Sequence, residues 1–138
     1  MKVENAVMPQ PQQAMDFFGG QEDGPFVMVN LLKFKPMAEY DDGSDAHLTG
    51  AEAYFRYGEE VRKLVEGLGG RIRYQGRVTG LLLGDVEELW DVVALAEYPS
   101  LEAFRKMALS PAMHAIEHHR KAGLAGQLNI RTKPGVGF

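Results

Sequence analysis

A chain of 138 residues, 45% hydrophobic and 25% charged, is long enough to form one domain around its own core. It contains no cysteine, which excludes disulfides, thiolate metal ligation and cysteine nucleophiles. Its net charge of −4, with no dense run of Lys and Arg, argues against a nucleic-acid partner, since such binding depends on a cationic surface.

Taken in order, MKVENAVMPQ (1–10) is polar and interrupted by Pro9, and predicts a loose start. It carries no basic region followed by an apolar core, so no signal peptide is expected, and the protein reads as soluble and cytoplasmic. PQQAMDFFGG follows as a short helix stopped by glycine. PFVMVNLLKFK (25–35) is an almost continuous apolar run between prolines. A half-exposed strand alternates and this one does not, so both of its faces are expected to be covered.

Residues 36–50 form an acidic, glycine-containing loop, read as a mobile lid or a dimer contact. Thr49 and Glu52 have capping-box spacing and open a helix with Tyr54, Tyr57, Val61, Leu64, Val65 and Leu68 on one face. RIRYQGRVTGLLLGD (71–85) begins as an alternating strand. It sets Arg71, Arg73, Gln75, Arg77 and Thr79 against Ile72, Tyr74 and Val78, with a bulge or bend expected at Gly76 or Gly80. LWDVVALAEYP (89–99) is a further, mostly apolar strand. Ser100 caps a helix, Ser110–Pro111 restarts it as far as about Gly123, and QLNIRT (127–132) is the last strand.

The order is a split βαβ unit twice over: an α+β, ferredoxin-like fold (βαββαβ) with a four-stranded antiparallel sheet and a short N-terminal helix. The divisions expected are a leader over 1–24, one domain over 25–133 and a tail over 134–138. Helices cover one face of such a sheet. Strands apolar on both faces therefore predict a second cover, most simply the sheet of a second copy in a symmetric dimer. The longest apolar run, LLL at 81–83, is far too short to span a bilayer, and no membrane partner is expected.

The succession GPFVMVNLLKFKP, EAYFRYGEEV, GGRIRYQGRVTG and LWDVVALAEYPS, with SP at 110–111 and HHR at 118–120, resembles one bacterial family. It is the domain-of-unknown-function family numbered 1330, in the dimeric α/β-barrel superfamily, and the resemblance spans roughly residues 12 to 132. It implies a ferredoxin-like subunit and a face-to-face homodimer, and no settled activity. Superfamily members include cofactor-independent monooxygenases, small-ring isomerases and haem enzymes, so an activity taken from them is a fold-level analogy.

Three of the four histidines lie in HAIEHHR (114–120). On an ideal helical wheel His114 and His118 are neighbours beside Lys121, which reads as a solvated pair. A zinc motif of the form HExxH requires glutamate after the first histidine, and Ala115 stands there. His119 shares a stripe with Ala112, Ala115 and Ile116 and is expected to point toward the sheet. There it is either a buried, satisfied histidine or the acid–base group of a cleft. Arg120 flanks the stripe, as a snorkelling arginine or an anchor for an anionic group.

Asn30, alone among apolar residues in mid-strand, needs partners, in the protein or in a ligand. Asp91 and Glu97 do acid–base work or pair with Arg73, Arg77 or Arg131. Tyr54 and Tyr57 are core aromatics or line a pocket, and Arg77 is a candidate to polarise an oxygen. The loop with Asp41, Asp42, Asp45 and His47 lacks the EF-hand rhythm. No metal and no organic cofactor are expected. Two readings stand: a cofactor-independent enzyme for a small carbonyl-containing or aromatic metabolite, with His119 catalytic and Asn30, Tyr54, Tyr57, Arg77, Glu97 and Arg120 at the ligand, or a non-catalytic dimer binding a metabolite or a protein.

Overall fold

The computed structural model of the chain describes residues 1–20 and 24–135, so the expected leader and tail fall partly outside the described residues. The elements are α1 (Pro11–Phe18), β1 (Phe26–Phe34), α2 (Gly50–Gly67), β2 (Arg71–Arg77), β3 (Val92–Tyr98), α3 (Leu101–Ala108), α4 (Pro111–Gly123) and β4 (Leu124–Thr132). The strands form one antiparallel sheet in the order β2-β3-β1-β4, which is the ferredoxin-like arrangement. Among the described residues no helix is long and apolar enough to cross a membrane.

Local chemistry sets the helix starts. Thr49 Oγ1 accepts the Glu52 amide at 3.1 Å while Glu52 Oε1 accepts the Thr49 amide at 2.9 Å, closing the capping box of α2. Ser100 and Ser110 each accept the amide three residues on, and Pro11 and Pro111 occupy first-turn positions where no amide hydrogen is needed.

Register decides which side chains meet. Met28, Asn30 and Leu32 lie opposite Ala96, Ala94 and Val92, and these line the helix side of the sheet. Val29, Leu31, Val93, Leu95, Leu128 and Ile130 consequently point to the outer face. The main core joins Phe26, Met28, Val65, Ala96, Tyr98, Leu101, Met107 and Met113. Phe17 and Phe18 of α1 pack onto it, with Phe17 meeting Phe26 and Phe104 edge to face.

In β2 the pairing shifts between Ile72 and Tyr74, so the bulge falls at Arg73 and not at a glycine. One extra residue reverses the alternation. Gln75 and Arg77, opposite Ala94 and Val92, join Ile72 on the helix side, while Tyr74 turns outward. The strand β3 begins at Val92, and residues 78–91 form a loop.

Two further expectations change. The polar start is held rather than loose, since Ala6 exchanges both backbone hydrogen bonds with Gln127 at the free edge of β4. Nor is the acidic loop an unattached lid. Ala38 donates to Leu48, Glu39 to the Ala122 carbonyl and Lys35 to the Gly123 carbonyl, and Ala38, Ala53 and Ala122 form a small core with Tyr40 and Leu48. This docking depends on two glycines where α2 and α4 cross. A side chain on Gly50 would strike the Lys35 carbonyl, and one on Gly123 the Gly50 carbonyl and the Tyr54 amide.

Candidate functional site

Helix α2 lowers Tyr54, Tyr57 and Val61, on successive turns, toward β1 and β3, and a cleft of about 90 Å³ opens between them. Its walls are apolar: Leu32, Phe34, Val65, Val92, Ala94 and Ala96. Asn30, Gln75, Tyr54, Tyr57 and Arg62 are the polar and phenolic residues that line it. An apolar cavity of about 150 Å³ takes up benzene, so this cleft suits a ligand of a few heavy atoms as it stands. A single ring is larger than this, and of the aromatic side chains that line the cleft Phe55 is the most exposed, at 45%.

The tyrosines supply hydrogen-bond donors. Tyr54 stacks obliquely on Phe34 at 5.2 Å and on Tyr57 at 5.4 Å. Burial pushes the Tyr54 phenol far above its ordinary value, and Tyr57 adds to the rise while Arg120 opposes it. Burial likewise raises Tyr57 and Tyr98. All three stay protonated at neutral pH. Among the described residues the Tyr57 hydroxyl has one hydrogen-bond partner, the Met113 sulfur at 3.8 Å, and the Tyr54 hydroxyl makes no hydrogen bond.

Asn30 has its partners within the protein. Its Nδ2 donates to the Met28 and Ala94 carbonyls at 3.3 and 3.2 Å, and its Oδ1 accepts Gln127 Nε2 at 2.7 Å. Both amide hydrogens are engaged, so Asn30 has none left to polarise a ligand oxygen. Gln127 Oε1 in turn accepts Arg120 at 2.8 Å. The chain Asn30–Gln127–Arg120 ties the sheet to α4 and leaves the guanidinium close enough to act on both phenols.

The wheel of α4 has the expected period and a different phase. Met113 is buried and Ile116 and Arg120 are half-buried on the sheet side, whereas Ala112 and Ala115 are exposed. His119 therefore lies on the flank toward the acidic loop and outside the cleft lining. Its Nδ1 pairs with the Tyr40 hydroxyl at 2.7 Å. Arg56 contacts the same hydroxyl at 3.4 Å and holds Asp45 at 2.9 Å. Burial first, then the neighbouring His118 and Arg56, lowers the His119 pKa, so the ring is neutral at pH 7. His114 and His118 are exposed, and among the described residues no group of three or more His, Asp or Glu is placed to hold a metal ion.

The remaining candidates disperse. Glu97 pairs on the outer face with Arg71 at 3.1 Å and Arg73 at 3.5 Å, away from the cleft. Asp91 accepts the Phe34 amide at 2.8 Å and faces Lys33 at 3.5 Å, sealing a strand end. Arg77 is exposed on the helix side, and its guanidinium makes no hydrogen bond or ion pair among the described residues. Sequence reasoning missed Gln127 and Tyr40. The first was open to discovery by asking which amide on the same face of the last strand could reach Asn30, since Gln127 lies opposite Leu32, two residues along β1. The second gave no signal beyond being an aromatic in an acidic loop.

Comparison with known proteins adds the following. The family model described as "Domain of unknown function (DUF1330)" matches residues 44–132. No curated protein matches the chain. The crystal structure of RPA0582, a protein of unknown function from Rhodopseudomonas palustris, is similar at 35% identity over 97% of this chain and 100% of that one, with a TM-score of 0.86. A dabb family protein with a ferredoxin-like fold from Mesorhizobium loti shares 14% identity over 83% and 99% of the two chains, with a TM-score of 0.50. SnoaB, a cofactor-independent oxygenase from Streptomyces nogalater, shares 13% over 83% and 96%, with a TM-score of 0.51. At these last two identities the likeness concerns the fold alone.

Proposed function

The chain belongs to the DUF1330 family, a domain of unknown function with a ferredoxin-like fold, and on that premise we propose that it is a homodimer binding a small carbonyl-containing or aromatic metabolite in the sheet–helix cleft. The observation that carries this reading is the Tyr54 hydroxyl: protonated, without a protein partner among the described residues, and lining an apolar cleft. A donor in such surroundings gains most by meeting an acceptor that arrives with the ligand. A neutral carbonyl fits it. Tyr57 offers a second donor and Phe34 an aromatic wall, and the charge of Arg120 favours the oxygen-rich end of the ligand on that side.

The homodimer reading is supported by the outer face, where Tyr74 and Ile130 are 57% and 47% exposed beside the half-buried Val29, Leu31 and Leu95. Binding without catalysis is favoured over a reaction, because the His119 ring is engaged outside the cleft and Asn30 has no free donor. The catalytic alternative resembles SnoaB in fold and in needing no cofactor, and under it Tyr54 rather than His119 would be the proton donor.

The test is ligand-observed NMR with benzaldehyde and acetone as probes. Wild type is expected to bind at least one of them saturably, and Tyr54→Phe about tenfold more weakly, the loss of one hydrogen bond of roughly 1.4 kcal/mol. Equal binding by both proteins sinks the assignment of the Tyr54 hydroxyl.

A further inference from the structure

The loop between β2 and β3 carries a run of exposed leucines that the cleft does not explain. Leu81, Leu82 and Leu83 are 49%, 102% and 86% exposed, so the middle side chain touches nothing in its own subunit. Gly80 and Gly84 bracket them, and Gly84 has φ of +94°, a conformation that sets the tip apart from the chain that follows.

The root of the loop fixes the side on which the tip stands. Lys33 belongs to the outer face, next in alternation to Leu31. Its Nζ holds the Leu89 carbonyl at 3.2 Å, Glu88 at 3.1 Å and Asp91 at 3.5 Å. Trp90 donates to Asn5 Oδ1 at 2.7 Å, and Asn5 lies over Gly126, the residue opposite Lys33. The loop is thus tied down on the side away from the cleft, beside the apolar outer surface of the sheet.

We infer that Leu81–Leu83 is an arm that packs against a second copy of this chain and extends the sheet-to-sheet contact of the homodimer. The inference rests on the homodimer reading above and adds the element that completes the interface. Three observations select this occupant. Closure over the subunit's own cleft is opposed by the anchoring of residues 88–91 on the other face. A membrane surface is opposed by Asp85, Glu87 and Glu88 directly after the leucines, because anionic lipid repels that flank. The area of the sheet supplies the third. Four strands about 4.8 Å apart and seven to nine residues long, at about 3.3 Å per residue, present a face of roughly 500 Å² in projection. A stable interface buries about 800 Å² per partner, so an element at the rim has to join the sheet.

The test is sedimentation equilibrium of the full chain, the double variant Leu82→Ser/Leu83→Ser, and Leu95→Lys on the outer sheet face, with circular dichroism to show that each subunit is folded. Leu82 and Leu83 are almost fully exposed in the subunit, so the double variant is expected to fold as wild type does. A dimeric wild type whose dissociation constant rises at least thirtyfold in the double variant, and also rises in Leu95→Lys, supports the arm. A dimeric wild type that Leu95→Lys dissociates, while the double variant stays within twofold, overturns the arm and leaves the homodimer standing. A wild type that is monomeric at tens of micromolar overturns both. Flotation with phosphatidylserine-containing vesicles is the cross-check: binding by wild type that the double variant loses assigns the leucines to lipid and overturns the inference.

Discussion

Replacing Asn30 by leucine tests whether the polar chain across the sheet is structural. The change removes two hydrogen bonds to strand carbonyls and one from Gln127. At about 0.5–1.5 kcal/mol each, the gross loss is roughly 3 kcal/mol. Leucine returns part of it by its apolar burial, and the position is half-buried, so water reaches some of the abandoned groups. A net destabilisation of about 2 kcal/mol is expected. With a urea slope of roughly 2 kcal/mol per molar, the unfolding midpoint falls by about 1 M. All variants should be compared at one protein concentration, since dimer formation shifts apparent stability by mass action. Gln127→Ala and the double variant complete a thermodynamic cycle, for which the bond between the two side chains predicts a coupling of about 1 kcal/mol. A loss below about 0.5 kcal/mol for Asn30→Leu, or a coupling below about 0.3 kcal/mol, would refute the reasoning that Asn30 is satisfied by the protein rather than reserved for a ligand.

Gly123→Ala forces a methyl group into the α2–α4 crossing and is expected to destabilise by about 1–3 kcal/mol, with broadened signals from Tyr54; unchanged thermal unfolding would contradict the close approach. Thr49→Ala opens the capping box of α2 and should lower stability by about 1 kcal/mol in urea titration, whereas Thr49→Ser should recover most of it. For His119 the folded pKa lies below the unfolded one, so the unfolded chain binds the proton more readily. Stability is fully present above about pH 6.5 and declines as pH falls through the lowered folded value. His119→Asn, which keeps an acceptor for Tyr40, should flatten that stretch of a urea-midpoint profile, and a profile identical to wild type would show that His119 contributes nothing to it.

The strand and helix order was legible because each element begins or ends on a distinct chemical signal. The Thr49–Glu52 box, the Ser100 cap and the Ser110–Pro111 restart all stand where the backbone has orphan donors to satisfy. What the sequence hid was phase. Periodicity in HAIEHHR is helical whichever face is inward, and Arg120, read as a flank, sits with Met113 on the buried side because its guanidinium has Gln127 to bond. In β2 a single extra residue at Arg73 reversed the faces of Gln75 and Arg77, and arginine carries no mark of a bulge. Of the residues first considered for the site, Asn30, Tyr54 and Tyr57 line the sheet–helix cleft, Arg120 reaches it only through Gln127 and Asn30, and His119, Arg77 and Glu97 lie outside its lining. Convergence depends on register between distant strands, such as Asn30 with Ala94 and Asn129, which no local pattern encodes.

The central claim is that a small ligand meets the phenols beneath α2. Tyrosine labelled with carbon-13 at Cζ reports on it directly, in separate titrations with acetone and with benzaldehyde followed by NMR and assigned with single Tyr→Phe variants. The Tyr54 and Tyr57 resonances are expected to shift saturably while Tyr74, on the outer face, stays fixed. Shifts confined to Tyr74, or none at all with either probe up to its solubility, would contradict it.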